Sequence, residues 1–384
     1  MKKSVSSVFA LALVLSFYQT ALANTNPNEA EELRLLKERI AKLEAKINAN
    51  EKATNKVSAD LKKKDASDWK INGDMRVRAV NDANSWDGSS SFRFRLRLEK
   101  QVNEYIRVYT RWNVIDENTM GETGSKDQNN KIHEAFMDIK LANNNYARLG
   151  RFGHSFGATQ FWGSAGSVGM FDGVQYMGRF NKLRAELAYG TWAAAGSTST
   201  NANTKSIGTM NNTVITKLRY TPQKNTDFYL WWVKEVNHTT PGARLALDSF
   251  YDIRGIGVKT PVAKNLNFAL DVGRNYAPGS TGIAGAKPFA YWAQFTYKEA
   301  DYDIAHSWEA RAYYRRVQNG YMYNGANTAQ NVGQNKFFGP GVSVHYVPVK
   351  NLMAEFLFSF ANKDATNTSL SLPNYVRFQL STRF

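Results

Sequence analysis

The chain of 384 residues contains no cysteine, which excludes disulfides and thiolate metal sites. Its net charge of +16 lies mostly in residues 69–384 and indicates nucleic acid, anionic lipid or small anions as partners. No internal run approaches the roughly 20 apolar residues that a membrane-spanning helix needs. Many arginines alternate with apolar residues instead of forming basic clusters, which argues against nucleic acid.

The N-terminus has the features of an export signal. Lys2 and Lys3 precede an apolar stretch from Val8 to Phe17, and Ala21-Leu22-Ala23 provides an A-x-A cleavage site. We therefore expect residues 1–23 to be a signal peptide, with the mature chain outside the cytoplasm. The alternative is a short membrane anchor, although this apolar stretch is too short to span a bilayer comfortably.

Residues 24–68 are predicted to form a helical coiled coil in the periplasm. Apolar residues recur there at alternating spacings of three and four, which is typical of a coiled-coil seam. Asn50 interrupts the apolar series and is interpreted as a polar residue that fixes the register. The predicted seam comprises Leu33, Leu36, Ile40, Leu43, Ile47, Asn50, Thr54, Val57 and Leu61.

The sequence leaves the number of helices in this coil open. Isoleucine at one seam position with leucine at the other favours two helices, whereas a trimeric barrel would require three. A single amphipathic helix lying on a membrane or on the barrel would have the same pattern. The coiled coil is therefore an expectation whose stoichiometry the residues do not decide.

After Asp68 the apolar period changes to two, which predicts β-strands. Sixteen such segments lie between Trp69 and Phe384, joined alternately by short turns with Asn or Pro and by long polar connections. This rhythm predicts an all-β fold, a transmembrane antiparallel up-and-down β-barrel of about 16 strands over residues 69–384. The long connections are 81–90, 115–131, 154–172, 192–212, 237–249, 276–287, 318–335 and 362–373.

The segment Ser91–Lys100 indicates which side chains face the barrel interior. Four apolar residues from Phe92 to Leu98 alternate with three arginines, so the two sets project from opposite faces of a strand. In a membrane barrel the apolar face meets lipid and the arginines line the lumen, whereas in a soluble sandwich the arginine face would meet solvent. By this parity the predicted pore-lining residues are Arg76, Arg78, Arg93, Arg95, Arg97, Arg107, Arg111, Arg148, Arg377 and Arg383.

The net charge of this wall has two interpretations. Arginines held beside other arginines in water would attract anions and repel cations. Nearby acids could instead neutralise the wall through ion pairs. The candidate acids are Glu99, Glu104, Glu134, Asp138 and Glu186.

Two further features are typical of outer-membrane barrels. The last strand, Tyr375–Phe384, alternates to its end, and its terminal Phe384 resembles the signal that the bacterial barrel-assembly machinery reads. Aromatic residues near strand ends predict girdles at the two membrane interfaces. The predicted girdle residues are Trp69, Tyr105, Tyr146, Tyr220, Trp231, Tyr297 and Tyr346.

The middle of the chain resembles the general bacterial porin family. Tyr146–Phe152, read Y-A-R-L-G-R-F, precedes a long connection, and Phe171–Tyr176, read F-D-G-V-Q-Y, follows it. In that family a Leu-Gly-Arg strand precedes a third loop that folds into the barrel as a constriction. The resemblance implies a homotrimer of sixteen-stranded channels, each with an inward loop near 154–172. The predicted constriction residues are His154, Phe156, Phe161, Trp162 and Phe171.

The loop also departs from that family. Residues 154–171 contain no Asp, Glu, Lys or Arg, whereas general porins often carry acids there. An anion-preferring eyelet dominated by arginine is therefore expected in place of a transverse field. The alternative is an ordinary surface loop that packs its own aromatic side chains. The coil is similar to that of coiled-coil-tethered porins, which implies peptidoglycan or the cell wall as a partner.

The sequence contains no catalytic motif. The five histidines are scattered without cysteine partners, and His154-Ser155 lacks the Gly-x-Ser-x-Gly context of a hydrolase. We therefore expect no enzyme, no metal and no cofactor. The predicted function is passive diffusion of small hydrophilic solutes through a basic lumen in the bacterial outer membrane, with lipid as its surroundings. The alternatives are a solute-specific porin for phosphate or sugar, and an envelope tether.

Overall fold

A computed structural model of the chain describes residues 27–67, 69–82, 85–119, 131–160, 162–163, 170–192, 210–236, 252–277, 286–318, 321, 337–365 and 367–384. The chain divides into two compact units between residues 66 and 67. The predicted signal peptide, residues 1–23, lies outside the described residues.

The described residues of the N-terminal unit form a helix, α1, from Pro27 to Ser67. Ion pairs one turn apart, such as Arg34 with Glu31, support it at its surface. The seam residues Leu36, Leu43 and Ile47 are 58%, 59% and 62% exposed in the single chain. Within the part of the chain that the structure describes, no helix has the length and apolar character needed to cross a membrane.

This exposure leaves the coiled coil as a prediction. Burying the apolar stripe of α1 requires a surface from another molecule or another part of the chain. Ile40 is partly buried and Asn50 is exposed. The side chains of Leu33, Thr54, Val57 and Leu61 lie outside the described residues.

The second unit is a sheet with sixteen long strands among the described residues, which confirms the predicted strand number. Each strand pairs antiparallel with its neighbours, and the last pairs with the first from Asp74 opposite Arg383 to Asp82 opposite Tyr375, so the sheet closes into a barrel. The long strands are β1 Lys70–Asp82, β2 Ser85–Gln101, β3 Ile106–Thr119, β4 Lys131–Lys140, β5 Tyr146–Phe152, β8 Phe171–Phe180, β9 Leu183–Trp192, β10 Met210–Gln223, β11 Thr226–Glu235, β12 Asp252–Ala263, β13 Leu266–Asn275, β14 Phe289–Lys298, β15 Trp308–Val317, β16 Phe337–Val349, β17 Leu352–Ser359 and β19 Tyr375–Arg383.

Three strands of two residues and one helical turn complete the described elements. They are β6 Ser155–Phe156, β7 Trp162–Gly163, β18 Lys363–Asp364 and a 3-10 turn, Ala142–Asn144. The short turns use asparagine as predicted, because Asn225, Asn265 and Asn351 adopt left-handed φ angles of 65°, 61° and 68°. Asparagine tolerates this conformation better than other residues with a side chain.

The strands have two chemically different faces. Apolar side chains such as Ile71, Phe228 and Ile256 are exposed on the outer face, at 67%, 49% and 62%. Charged and polar side chains lie on the inner face, where they form the ion pairs described below. Of the predicted girdle residues, Trp231 was assigned wrongly: it is 2% exposed and faces inward, while its neighbour Trp232 faces outward. The other six are exposed and lie near the short turns.

The terminal residue Phe384 joins the two ends of the barrel. Its amide and carbonyl exchange hydrogen bonds with Gly73 on β1, with N–O distances of 3.2 and 2.9 Å. Its ring covers Gly73 and stacks on Phe94 at a centroid distance of 5.8 Å. A β-carbon on Gly73 would lie 2.4 Å from this ring, so any other residue at position 73 would displace the ring.

We expect Gly73→Val to displace the Phe384 ring and to weaken the β1–β19 junction by about 1–3 kcal/mol, the usual cost of overpacking. The measurement is the temperature above which the barrel no longer migrates as the folded species in gel electrophoresis. Gly178→Val, at a position of β8 outside this junction, is the matched control for adding a side chain at an outward glycine. An unchanged transition in Gly73→Val would show that the ring does not stabilise closure.

Candidate functional site

The described part of the connection between β5 and β8 reaches across the barrel interior. Its tip is fixed to Asp271 on β13, which lies six strands further round the barrel from β5. The amides of Ala158 and Thr159 donate to the two carboxylate oxygens at 2.7 Å each, and the Thr159 hydroxyl donates at 2.5 Å. The described part of this segment therefore contacts the inner face of β13, and we refer to it as the inward loop.

Gly157 allows this contact. Its φ of +74° lies in the left-handed region, and a β-carbon there would lie 2.3 Å from the Asp271 carboxylate. Ser155–Phe156 and Trp162–Gly163 pair as β6 and β7, which gives the loop the form of a small hairpin. A residue with a side chain at position 157 would be strained in both respects.

An aromatic cluster holds the base of the loop. His154 lies 5.3 Å from Phe152, 5.0 Å from Phe171 and 6.1 Å from both Phe156 and Trp192, measured between ring centroids. Of the predicted constriction residues, His154 and Phe156 lie on the loop, whereas Phe171 is the first residue of β8. Phe161 and the Trp162 side chain lie outside the described residues.

Burial in this cluster lowers the pKa of His154 well below its usual value of 6.5, and the positive charges of Lys217 and Arg148 lower it further. The packed loop therefore holds a neutral imidazole, whereas a released loop would bind a proton with an ordinary pKa. Because the released state binds more protons below about pH 6.5, the packed state loses up to about 1.4 kcal/mol per pH unit as the pH falls.

We expect acidification from pH 7.5 to pH 5 to loosen the loop base and to increase current noise in single-channel recordings. His154→Leu should abolish this pH response, because leucine remains neutral at every pH. His306→Leu, at an exposed histidine near a short turn, is the control and should respond as the wild type does. A response that persists in His154→Leu would assign it to another group.

A cluster of arginines lies on the inner faces of β1, β2, β3 and β19. Asp74 is at its centre and binds three of them: Arg93 at 3.1 Å, Arg95 at 2.8 Å, and Arg97. Arg76 lies opposite Arg93 in the β1–β2 register, which places two like charges on neighbouring strands. One carboxylate therefore compensates only part of this positive charge.

Five of the six remaining predicted wall arginines have partners on neighbouring strands. Asp138 binds Arg107 at 2.5 Å and Arg148 at 2.7 Å. Arg111 binds Glu134 at 3.1 Å, and Arg377 binds Glu355. Arg78 donates to the neutral amide of Gln379 at 3.0 Å. Arg383 stacks at 3.9 Å over Tyr302 in a short turn, so it lies at the rim and apart from the cluster.

Both interpretations of the wall are thus partly realised. Ten arginines lie on the inner faces of β19 and β1–β5, whereas five described carboxylates pair with them. The five carboxylates are Asp74, Glu99, Glu134, Asp138 and Glu355. Glu186, one of the predicted acids, binds Lys217 at 2.5 Å on another part of the wall.

Three functional carboxylates were missed by the sequence reasoning. Asp74 has the same parity as Arg76 and could have been identified from that signal alone. Glu355 has inward parity on β17, but its pairing with Arg377 depends on the strand order. Asp271 holds the loop across 112 residues of sequence, and its local pattern gives no indication of that contact.

Around the rest of the barrel an apolar cluster packs on the inner face, together with buried polar groups such as Arg315 and Asp271. Its largest members include Trp231, Trp292, Tyr313, Tyr321 and Phe337, all at most 5% exposed. The described buried members of this cluster lie on β5, the inward loop, β8–β12, β14–β16 and at Tyr321. Most members of this cluster therefore lie on strands other than those that carry the arginines.

Comparisons with known proteins identify the fold. No protein-family model matches the sequence, and no curated protein matches it. The structure of Salmonella typhi OmpF in complex with daunomycin is similar, with a TM-score of 0.57, 12% identity and coverage of 84% of this chain and 99% of that chain. A triple mutant of Rhodopseudomonas blastica porin has a TM-score of 0.51, 9% identity and coverage of 83% and 100%.

Pseudomonas aeruginosa OprD is a third similar structure, with a TM-score of 0.50, 12% identity and coverage of 83% of this chain and 95% of that chain. At these identities the likeness is one of fold. It confirms, at the level of barrel architecture, the resemblance to bacterial porins that the motifs around the inward loop predicted. The trimer, the coil and the identity of the solute stay predictions.

Proposed function

We propose that this chain is an outer-membrane porin through which small hydrophilic solutes diffuse passively, with a preference for anions. The observation that supports this most is the arginine excess on β19 and β1–β3, on the part of the wall that the apolar cluster leaves uncovered. A closed barrel with this lining is a water-filled path whose selectivity follows the charge of its wall. The channel performs no catalysis.

The anion preference rests on charge that the ion pairs leave uncompensated. Asp74 binds three guanidinium groups and can balance one positive charge. The inward loop adds no charge of either sign at its tip, because residues 155–171 contain no Asp, Glu, Lys, Arg or His and His154 lies at the base of the loop. A chloride or phosphate ion in the eyelet would therefore meet a positive surface without an opposing acidic one.

The experiment is a recording from the purified full chain in a planar bilayer with a potassium chloride gradient. We expect ohmic current and a reversal potential of the sign that chloride selectivity produces. A cation-selective sign would exclude the anion preference, and a protein that folds but gives no current would exclude a porin. Saturable block of the current by micromolar phosphate or sugar would favour a solute-specific porin over a general one.

A tether to the cell envelope is the second candidate, and the exposed apolar stripe of α1 favours it. We infer that α1 of exported chains associates in the periplasm, as a trimer if the barrels are trimeric, and contacts peptidoglycan or the cell wall. The same proposal includes the removal of residues 1–23 as a signal peptide. It also includes recognition of Phe384 by the barrel-assembly machinery.

Deletion of residues 29–64 separates the two candidates. If both hold, the deletion should leave conductance intact and loosen the outer membrane from the wall, measured as release of outer-membrane vesicles. Loss of conductance on deletion would mean that α1 is needed for assembly. Unchanged vesicle release would exclude the tether.

A further inference from the structure

Basic side chains form a continuous band on the outer face of the barrel, next to the long connections. Adjacent strands from β11 to β15, together with β18, each contribute one of them, either within the strand or just before it. Among the described outward side chains of these strands at this level, Asp252 is the acidic one. The basic band comprises Lys234, Arg254, Arg274, Lys287, Arg316 and Lys363.

The register shows that the band faces outward. Arg254 lies opposite Trp232 on one side and Arg274 on the other. The apolar residues two positions further along these strands, Ile256 and Val272, are 62% and 39% exposed on the same face. The band therefore borders the apolar outer surface of the barrel.

Aromatic rings lie between the basic groups. The Arg254 guanidinium and the Lys287 ammonium lie 4.9 and 5.6 Å from the Tyr276 ring centroid. The Arg316 guanidinium lies 5.4 Å from Phe289 and from Phe338. Basic groups mixed with aromatic rings above an apolar surface are typical of the boundary between lipid tails and headgroups.

The charges of the band are only partly balanced. Asp252 binds Arg254 at 2.9 Å, while Arg274 and Lys287 are exposed. Like charges placed directly opposite each other in a sheet are destabilising, and Arg254 and Arg274 have that arrangement. Both arginines line a groove of about 700 Å³, together with Trp232, Ile256, Val272 and Tyr276. An anion seated there would relieve the repulsion.

We propose that the basic band binds the phosphate groups of lipids in the outward-facing leaflet, with the acyl chains against Ile256 and Val272. Guanidinium groups bind phosphate oxygens in pairs, and an ammonium adds a point charge. A lipid satisfies both parts of this surface, because it carries the anion and the apolar chains in one molecule. The inference rests on the proposed outer-membrane location.

The test is native mass spectrometry of the full chain in detergent, titrated with bis-phosphorylated lipid A and with the same lipid after removal of both phosphates. We expect the phosphorylated lipid to bind at least tenfold more tightly. The variant Arg254→Gln, Arg274→Gln, Lys287→Gln should lose at least tenfold in affinity. The control Lys182→Gln, Lys224→Gln, Lys264→Gln removes three exposed charges near the short turns and should bind as the wild type does.

Equal affinity for the two lipids, or for the band variant and the wild type, would overturn the proposal. Millimolar inorganic phosphate that displaces the lipid completely would show that acyl chains contribute nothing and would overturn the lipid assignment. Dimers that disappear in the band variant without a change in lipid affinity would assign the surface to a second copy of the chain. Conductance of the same preparations separates this outcome from failure of the porin proposal.

Discussion

A channel with Arg76→Gln and Arg78→Gln is expected to lose most of its preference for anions. The two guanidinium groups lie on the inner face of β1, where Arg76 is opposite Arg93 and Ser381 and Arg78 is opposite Ser91 and Gln379. Glutamine retains polarity and much of the volume at both positions. Arg78 donates to the neutral amide of Gln379, and a glutamine side chain at position 78 retains an N–H donor for this partner.

The size of the effect follows from Coulomb's law. A charge about 8 Å from a permeating ion in water contributes about 0.5 kcal/mol, and a little under half of this remains at 0.1 M salt. Because loss of two positive charges disfavours anions and favours cations by equal amounts, it should lower the anion-to-cation permeability ratio about fivefold at that salt concentration. The effect should be largest in dilute salt, because a Debye length of about 10 Å at 0.1 M shortens as salt is added. The measurement is the reversal potential in a potassium chloride gradient at two mean concentrations.

The matched control is Lys224→Gln with Lys264→Gln, which removes two charges from exposed short turns. This variant should retain the wild-type reversal potential. If the two variants behave alike, selectivity depends on the total charge of the protein and not on the arginine cluster. If neither variant differs from the wild type, the cluster lies away from the ion path.

The strands and the direction of their side chains could be predicted because two different solvents act on each strand. Lipid outside and water inside impose a period of two on every strand, as at Ser91–Lys100, and this pattern is local. The limits of the pattern appear at β2, which begins at Ser85 instead of the predicted Ser91. Residues 85–90 are mostly polar and do not alternate, so only their pairing with β1 identifies them as strand.

The interior contacts could not be predicted, because they join residues that are distant in sequence. Trp231 and Trp232 are adjacent, and nothing in the pair indicates which one faces inward. The strand order settles it: Trp231 lies opposite Gly255 on β12, where a β-carbon would lie 2.1 Å from the Trp231 ring. The attachment of the loop tip to Asp271 depends in the same way on which strand lies across the barrel.

The second large effect concerns that attachment: Asp271→Asn is expected to release the tip of the inward loop and to raise single-channel conductance about twofold or more. The carboxylate accepts hydrogen bonds from the amides of Ala158 and Thr159 and from the Thr159 hydroxyl. An asparagine of the same shape retains one acceptor oxygen, and its amide nitrogen directs a donor at groups that are themselves donors.

Hydrogen bonds to a charged acceptor contribute about 1.5–3 kcal/mol each. With its oxygen toward Thr159, the asparagine loses the Ala158 bond and reduces the two Thr159 bonds to bonds with a neutral acceptor, which contribute only about 0.5–1.5 kcal/mol each. The equilibrium between docked and released loop therefore shifts by about 3 kcal/mol or more, which exceeds a hundredfold. Gly157→Ala should reach the same state by a different route, since its new β-carbon would collide with the Asp271 carboxylate and strain a left-handed backbone. Agreement between the two variants would locate the effect at this contact.

The control is Asp227→Asn, which removes an inner-face carboxylate of β11 that binds Arg219 at 2.7 Å and not the loop. Its conductance should remain near that of the wild type. A stable protein with Asp271→Asn and unchanged conductance would mean that the loop tip does not limit ion flow, and that the bore is set by the arginine wall and the apolar cluster instead. A rise in conductance in the Asp227→Asn control as well would point to the loss of wall charge, not loop release, as its cause.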